Sequence, residues 1–376
     1  MDLDTYRTGL DQWLDEHVAE LTPPYAGVGT MQERVDHLSK VRRLCFETGW
    51  ARWGWPEEVG GLGGSTILRA YLGEALASRG LVDPNFYSTP EVLAPAVIRA
   101  ADPRLAAEFV PLLLSGEEYW CQGFSEPGSG SDLASLSCRA TRGEDGWRVT
   151  GQKVWTSFAQ FAQRCVLLVR TGTQESAHRG ITVLFVDMDT PGITIRPLAT
   201  IDGSEEFAEV FFDDVPVPFE RTVGKPDGGW AVAMDILPDE RSTSLWHRGA
   251  ILNRQMDELL AKAPAESLSP TAVGETAQLL LGFRARSRAT QYRLASGERI
   301  GAETSIDKVL LASAEQAVLD LVLEGLSQQL VLGDDAISAQ WRADFFFSRA
   351  ASIYGGSAEI QRNVIARRLL DLGPDR

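Results

Sequence analysis

The strongest constraint on the fold is a change in the spacing of apolar residues along the chain. In the first 115 or so residues they recur at helical spacing, as at Leu10, Leu14 and Val18. From about residue 147 to residue 217 short β-prone runs separated by turns replace this pattern, and helical spacing then returns. This order predicts an α+β chain in which a small antiparallel β-domain lies between two helical parts.

Turn-forming residues predict where these parts begin and end. A helix is expected over Met31–Phe46, and a break follows at Gly60–Gly64. The β-prone runs of the middle part are Arg148–Thr150, Cys165–Val169, Ile181–Val186, Ile193–Ile195 and Ala208–Phe212. In the C-terminal part, breaks are expected near Pro264, Gly297 and Gly333.

Composition narrows the classes of function. The 376 residues include 36 basic and 52 acidic side chains, a net charge of −16, so we expect no nucleic acid and no anionic membrane surface as partner. No run of about 18 apolar residues is present, so no membrane span is expected. The four cysteines lack CxxC spacing and the four histidines are scattered, which predicts no metal site and reduced thiols, as in a cytoplasmic protein.

A polar turn at Glu126–Asp132 is the most informative local motif. Its two glycines and one proline let backbone amides approach a ligand, and its serines and acids add hydrogen-bonding groups. This composition suits an anionic or multiply polar ligand, and an ordinary surface loop is the alternative.

Five further stretches accompany this turn in a fixed order: Trp55–Gly63, Trp120–Ser125, Gly151–Ser157, Asp239–Arg241 and Ile353–Arg362. With these motifs the chain resembles the acyl-CoA dehydrogenase family over nearly its whole length. The resemblance implies an N-terminal α-helical domain over residues 1–115, a middle β-barrel over 116–225, and a C-terminal four-helix bundle over 226–376 that drives oligomerisation.

The resemblance also implies a reaction. It is the FAD-dependent removal of an α-proton and a β-hydride from an acyl-CoA thioester, which forms a trans-2-enoyl-CoA, and an electron-transferring flavoprotein then accepts the electrons. The base must reach the α-carbon in a dry pocket, where water does not over-stabilise its carboxylate.

The position of the base departs from a common family pattern. Many members carry a glutamate directly after the tyrosine of the C-terminal motif, where this chain has Gly355 after Tyr354. Members similar to isovaleryl- and long-chain acyl-CoA dehydrogenases place it earlier, just before an arginine, which matches Glu240 and Arg241. Glu240 is therefore expected to be the base, Arg241 to contact CoA, and Pro238 to disfavour a regular helix. A solvated run of charges is the alternative.

By the same resemblance, the residues expected to meet the isoalloxazine ring of FAD are Phe124, Ser125, Gly130, Ser131, Trp155, Thr156 and Ser157. Trp155 would stack on the ring or else belong to the core of the sheet, and Thr156 or Ser157 would donate a hydrogen bond near N5.

The C-terminal motif adds a second set of expected contacts. Gly356 and Ser357 open a helix whose free amides would hold the pyrophosphate, and Glu359 would bind a ribose hydroxyl or complement the helix dipole. The resemblance also assigns Ser131, Tyr354 and Gly355 to the substrate site.

Two departures bear on assembly and substrate. The family's Arg-x-x-Phe-Gly stretch is absent from the corresponding region, 292–308, where Arg293 and Arg299 are the possible substitutes and a solvated helix end is the alternative. We therefore expect a heterotetramer with a homologous chain, or else a homo-oligomer. The glycines at 355 and 356 should leave room for branched or bulky acyl groups, and Gly355→Glu should restore a base in part.

Two other functions fit the same motifs. One is an oxygen-using relative, either an acyl-CoA oxidase or a flavin monooxygenase. The other is a non-catalytic subunit that completes a partner's site, which Gly355 and the missing Phe-Gly favour and Glu240 opposes.

Overall fold

The computed structural model describes residues 1–83 and 87–373. Its N-terminal helices are α1 (Leu3–Glu16), α2 (Val18–Leu21), α3 (Met31–Glu47), α4 (Thr66–Ser78), α5 (Thr89–Ala100) and α6 (Pro103–Ser115). Helix α3 confirms the helix predicted from residue 31. It begins with a capping box, in which the side chains of Thr30 and Glu33 each accept from the other's backbone amide. The apolar faces of α1, α3 and α4 share one core that includes Leu10, Leu38 and Leu68.

The middle part is a single mixed sheet. Its strands are β1 (Trp120–Gly123), β2 (Arg139–Arg142), β3 (Gly146–Ser157), β4 (Arg164–Arg170), β5 (Ile181–Asp187), β6 (Ile193–Leu198), β7 (Phe207–Pro218) and β8 (Thr222–Val223). The order across the sheet is β6-β7-β3-β2-β4-β5-β8, with β1 paired to β4. All five predicted runs are strands. The purely antiparallel prediction is wrong, because β4 runs parallel to both β1 and β2, two short strands that precede the predicted start at residue 147.

Strand β4 shows why the sheet lies at the centre of the molecule. Val166 and Leu168 belong to a core shared with helices of both flanking parts, whereas Cys165, Leu167 and Val169 belong to the core inside the sheet-rich part. Successive residues of a strand point to opposite faces, so a strand buried on both faces is apolar throughout. The sheet is therefore covered by helices on one face.

The C-terminal helices are α7 (Gly229–Glu240), α8 (Thr243–Lys262), α9 (Pro270–Ala295), α10 (Thr304–Gly325), α11 (Ser327–Leu332), α12 (Ala336–Arg349) and α13 (Ala358–Val364). The predicted breaks near Pro264, Gly297 and Gly333 all fall between helices. Helices α8, α9, α10 and α12 pack around a common core that includes Phe283 and Trp341. Over residues 1–83 and 87–373, no helix is both long and apolar enough to cross a membrane.

Candidate active site

Glu240 is the last residue of α7, at the junction with α8. Pro238 lies inside the last turn of α7, so the prediction that it disfavours a regular helix is wrong here. A proline lacks only its own N–H, and its carbonyl still accepts the backbone amide of Arg241 at 3.1 Å. Since α8 begins at Thr243, the junction is short and holds Glu240 between two helices.

Gly355 lies directly beside the Glu240 carboxylate. A Cβ atom built on Gly355 would lie 3.0 Å from Oε1 of Glu240 and 3.2 Å from Cε of Lys308. Nε of Arg241 donates to the Gly355 carbonyl at 2.8 Å. Positions 240 and 355, the two places where the resemblance allows a base, therefore lie side by side. The carboxylate there comes from α7, and the C-terminal motif contributes no side chain.

The glycines of the C-terminal motif do not leave empty space. Gly355 has a φ of +62° and Gly356 a φ of +89°. In this left-handed region of backbone conformation a residue with a side chain is strained. A Cβ on Gly356 would lie 2.2 Å from Nε2 of Gln361. The prediction that these glycines open room beside the substrate is wrong, because Glu240, Lys308 and Gln361 occupy that space.

The charge on Glu240 is controlled by burial and by two cations. Burial raises the pKa of the Glu240 carboxyl, and the charges of Arg241 and Lys308 act in the opposite direction. The carboxylate accepts no hydrogen bond from any residue in the described part of the chain. Its neighbour Asp239 accepts from Arg99 at 2.7 Å. Asp239 and Arg241 thus have separate protein contacts and Glu240 lies between them, half-buried, which disfavours the alternative of a solvated run.

Two further side chains lie next to Gly355. They are Lys308, on α10, and Tyr354, which precedes Gly355 in the C-terminal loop. Nζ of Lys308 donates to the Ala351 carbonyl and lies 3.9 Å from the centroid of the Tyr354 ring. The Tyr354 hydroxyl donates to Glu315 at 3.4 Å, and Glu315 pairs with Arg248. The predicted substrate contact of Tyr354 remains a prediction. Lys308 was missed by sequence reasoning, since a lysine in an amphipathic helix gives no sign of its neighbours.

On the sheet, Trp155 presents an open aromatic face. It is 59% exposed and has a φ of 59°, at a register shift between β3 and β7. The alternative that Trp155 belongs to the core is therefore wrong. Its ring meets Phe207 edge-on, with centroids 5.7 Å apart, so one face is free for another ring.

Thr156 has the opposite environment. It is only 1% exposed, and its hydroxyl oxygen has no hydrogen-bond partner among the residues that the structure describes. A buried hydroxyl without a partner costs free energy, so this atom points to a missing ligand or water. Ser157, the next residue, is half-buried.

The turn at residues 126–132 is held by its own first residue. Glu126 accepts from the backbone amides of Ser137 and Cys138, and pairs with Nζ of the buried Lys153 at 2.8 Å. Its carboxylate is thus structural and unavailable to a ligand. Sequence reasoning missed the Glu126–Lys153 pair, because its members lie on different segments.

The rest of the predicted flavin segment lies around this pair. Phe124 is buried, its carbonyl accepts from Lys153, and the Ser125 carbonyl accepts from the Val154 amide at 2.9 Å. Gly130 and Ser131 are exposed, and a Cβ on Gly130 would meet nothing within 4 Å.

The C-terminal motif forms its predicted cap. The Ser357 hydroxyl accepts from the Ile360 amide at 3.3 Å, which confirms Ser357 as the N-cap of α13. Glu359 is exposed in the first turn. In the region that lacks Phe-Gly, Arg293 pairs with Glu298 and Glu303, so those carboxylates already hold its guanidinium. These contacts favour the alternative of a solvated helix end.

These observations fit an isoalloxazine ring. An aromatic face is open at Trp155, a buried hydroxyl is unpartnered at Thr156, and the backbone near Gly130 is unobstructed. No group of three or more metal-binding side chains occurs in the described ranges, and all four cysteines are buried and unpaired.

Comparison with known proteins agrees with the fold. The acyl-CoA dehydrogenase N-terminal domain matches residues 4–117, the middle domain residues 121–215, and the C-terminal domain residues 227–370. Acyl-CoA dehydrogenase IpdE1 of Mycobacterium tuberculosis is 34% identical over 380 residues, which cover 99% of this chain and 98% of that protein.

Two solved structures are similar along the whole chain. The Tcur3481-Tcur3483 steroid ACAD has a TM-score of 0.85 and 25% identity, covering 100% of this chain and 99% of that one. The ChsE4-ChsE5 complex from Mycobacterium tuberculosis has a TM-score of 0.77 and 25% identity, covering 99% and 98%. Because all three domains match in the order in which the structure builds them, the chain belongs to the acyl-CoA dehydrogenase family, as its motifs indicated.

Proposed function

We propose that this protein is an FAD-dependent acyl-CoA dehydrogenase that forms a trans-2-enoyl-CoA, with Glu240 as the base. The observation that carries the proposal is the 3.0 Å separation between Oε1 of Glu240 and the point where a Gly355 side chain would begin. The carboxylate from α7 thus reaches the space that a glutamate at position 355 would enter. The family membership supports the reaction class, and this geometry supports the residue.

Glu240 performs the proton transfer. Glu240 is half-buried, and burial raises the pKa of its carboxyl, which makes it a better base than an exposed glutamate. Since no hydrogen bond ties either oxygen down, Oε1 or Oε2 can accept the α-proton. Arg241 fixes the neighbouring backbone through the Gly355 carbonyl, and its remaining N–H groups would be available to CoA.

FAD, when bound, supplies the acceptor for the hydride that leaves Cβ. Trp155 would hold the ring by stacking, and Thr156 would donate its free hydroxyl to the ring edge, with Ser157 beside it. Phe124, Ser125, Gly130 and Ser131 would line the opposite rim, and Gly356, Ser357 and Glu359 the pyrophosphate and ribose.

The proposed substrate is an acyl-CoA with a branched or bulky acyl group. Support comes from the relatives, since a structure with a TM-score of 0.85 is titled a steroid ACAD. The glycines of the C-terminal motif give no support, because the space beside them is filled. Ser131, Arg241, Tyr354 and Gly355 are the proposed substrate contacts.

The proposed assembly is a heterotetramer with a homologous chain, and a homo-oligomer is the alternative. Two similar structures are named for two chains each. Apolar side chains are also strongly exposed on the C-terminal helices, at Leu281, Val331, Leu332 and Ile337. An electron-transferring flavoprotein is the proposed electron acceptor, and the cytoplasm the proposed location.

Colour tests the proposed function. The chain is purified alone and with a co-expressed homologous chain, and its FAD content per protomer is measured. A catalytic protein should be yellow and should bleach without oxygen on addition of a suitable acyl-CoA. A protein that binds FAD in either preparation but never bleaches with a panel of acyl-CoA thioesters would contradict the proposal.

Two controls separate the alternatives. Rapid oxidation of the reduced flavin by oxygen would indicate the oxidase or monooxygenase. Bleaching that persists with Glu240→Gln in this chain, and is lost when the partner's own base is changed, would indicate a non-catalytic subunit.

A further inference from the structure

We infer that Lys308 is a positioning residue for proton abstraction, which keeps the half-buried Glu240 carboxylate charged. The inference rests on the proposed function of Glu240 and extends it to a second helix. Lys308 lies in the second turn of α10 and is only 2% exposed. A buried lysine is costly unless its charge is used, so its contacts indicate its role.

Geometry links Lys308 to the base. Cε of Lys308 lies 3.2 Å, and Oε1 of Glu240 3.0 Å, from the same point beside Gly355. The end of the Lys308 side chain and the Glu240 carboxylate therefore border one small space that Gly355 leaves without a side chain, with the ammonium close to the carboxylate but outside ion-pair distance. Any residue with a Cβ at 355 would separate them.

Two contacts fix the ammonium, and a further carboxylate stabilises its charge. Nζ donates to the Ala351 carbonyl and lies 3.9 Å from the centroid of the Tyr354 ring. Glu315, about two turns further along α10, supplies a second carboxylate whose charge favours the ammonium. The ammonium thus has an acceptor, an aromatic face and two anions, and its position does not depend on a substrate.

The charges around Lys308 come from four segments: Glu240 and Arg241 at the α7–α8 junction, Arg248 on α8, Glu315 on α10, and Tyr354 in the C-terminal loop. Burial lowers the pKa of Lys308 to about 8, although Glu315 and Glu240 oppose this. Lys308 is therefore mostly charged at neutral pH, and Glu240 has a second cationic neighbour besides Arg241.

This placement has a chemical consequence. Burial alone would favour the protonated form of Glu240, which cannot accept a proton. A fixed ammonium stabilises the carboxylate without donating a hydrogen bond to it, so the base stays both ionised and reactive. Arg241 stabilises the carboxylate in the same way and more strongly, so Lys308 adds to its effect from a second helix.

The test compares Lys308→Met with Lys308→Arg in the FAD-loaded protein and follows anaerobic flavin reduction by acyl-CoA against pH. Without the cation, Glu240 should hold its proton to higher pH. The Met variant should therefore lose about tenfold in rate at the acid end of the profile and approach the wild type at the alkaline end. The Arg variant should retain most of the wild-type profile.

Arg286→Met is the matched control. Arg286 pairs with Asp307, next to Lys308, but does not face Glu240. Its loss should lower the melting temperature and leave the acid limb unmoved. If Lys308→Met is folded and its acid limb coincides with that of Arg286→Met, the inference is overturned.

A second measurement does not depend on turnover. The infrared C=O band of protonated Glu240, identified by its loss in Glu240→Gln, should persist to higher pH in Lys308→Met than in the wild type. If the Met variant does not fold, the same band in the Arg variant should titrate as in the wild type, and a displaced titration there would contradict the inference. Flavin reduction that survives Glu240→Gln would instead refute the proposed function itself.

Discussion

Two regions of the molecule differ in how far the chain itself completes them. They are the base corner, formed by Glu240, Arg241, Lys308 and Gly355, and the sheet face, formed by Trp155 and Thr156. Around Glu240 the chain supplies Lys308, Arg241 and a side-chain-free Gly355, and the space is filled. At the sheet face, Trp155 is 59% exposed and the buried hydroxyl of Thr156 has no described partner. On the proposed function, the chain therefore builds its acid–base site alone and leaves its cofactor face to be completed by FAD.

The largest expected effect is a loss of activity, and it tests the role of Glu240 in the base corner. Glu240→Gln removes the negative charge at nearly constant volume, so flavin reduction by acyl-CoA should slow by roughly 10²- to 10⁴-fold while FAD content is unchanged. Stopped-flow absorbance under anaerobic conditions measures both. Near-normal reduction in this variant would show that another group takes the proton.

The same variant, which should lose activity, should gain stability at neutral pH. Because burial raises the pKa of Glu240 in the folded state, folding favours its protonated form. The carboxyl's contribution to stability is thus greatest below its unfolded pKa and is lost as the pH rises through the folded pKa. Glu240→Gln should remove this loss, and thermal unfolding at several pH values checks it.

A second prediction concerns the support of the sheet face. Lys153→Met leaves Glu126 buried without its ammonium, although two backbone amides remain, and breaking such a pair costs about 3–5 kcal/mol. Although burial opposes it, Lys153 and these amides hold the pKa of Glu126 below its ordinary value. That contribution is present above the unfolded pKa and lost as the pH falls, so the variant should be less stable mainly at neutral pH.

Urea unfolding of the wild type and Lys153→Met at neutral and acid pH measures this difference. Arg148→Met is a suitable control on the same strand, since its ion pair with Asp214 is exposed and should be worth little. Equal losses in the two variants would mean that the Glu126–Lys153 pair does not support the turn.

Sequence reasoning succeeded where the signal was local. The helix from Met31, the cap at Ser357 and the breaks at Pro264 and Gly297 depend on neighbouring residues, and the structure has them all. The pairing of Glu240 with Gly355 followed from a resemblance, and no local pattern would have given it.

The features that the sequence did not reveal depend on contacts between distant segments. Lys153 resembles any polar residue of a strand until Glu126 lies beside it. The glycine at position 355 predicts open space beside it, but atoms from α7 and α10 fill that space. Trp155 is exposed only because a register shift turns its backbone, which residue type does not predict.

A third prediction tests how tightly the base corner is packed. Gly355→Ala adds a Cβ 3.0 Å from Glu240 Oε1 at a φ of +62°, so we expect a loss of about 1–3 kcal/mol in stability and a fall in activity. Gly63→Ala is the matched control, because its φ is +66° and its Cβ would meet nothing within 4 Å.

The control shares the backbone strain but not the contact. A fall in activity in both variants, or in neither, would show that packing against Glu240 does not matter. For the same steric reason we now expect no rescue of Glu240→Gln by Gly355→Glu, contrary to the expectation from sequence.

The smallest expected effect sharpens the second half of the comparison. Thr156→Val replaces the unpartnered hydroxyl with a methyl group of the same shape, so the protein without FAD should keep its stability or gain about 1 kcal/mol. FAD should bind up to about tenfold more weakly, since one hydrogen bond to the ring is lost. Thermal unfolding without FAD and a fluorescence titration with FAD measure the two changes.

Thr290→Val is the matched control, because the buried Thr290 hydroxyl donates to Asp307 at 2.6 Å and its loss should destabilise the protein without FAD. If Thr156→Val destabilises the protein as much as this control does, the Thr156 hydroxyl is already satisfied within the chain, and the sheet face is not waiting for a ligand at that atom.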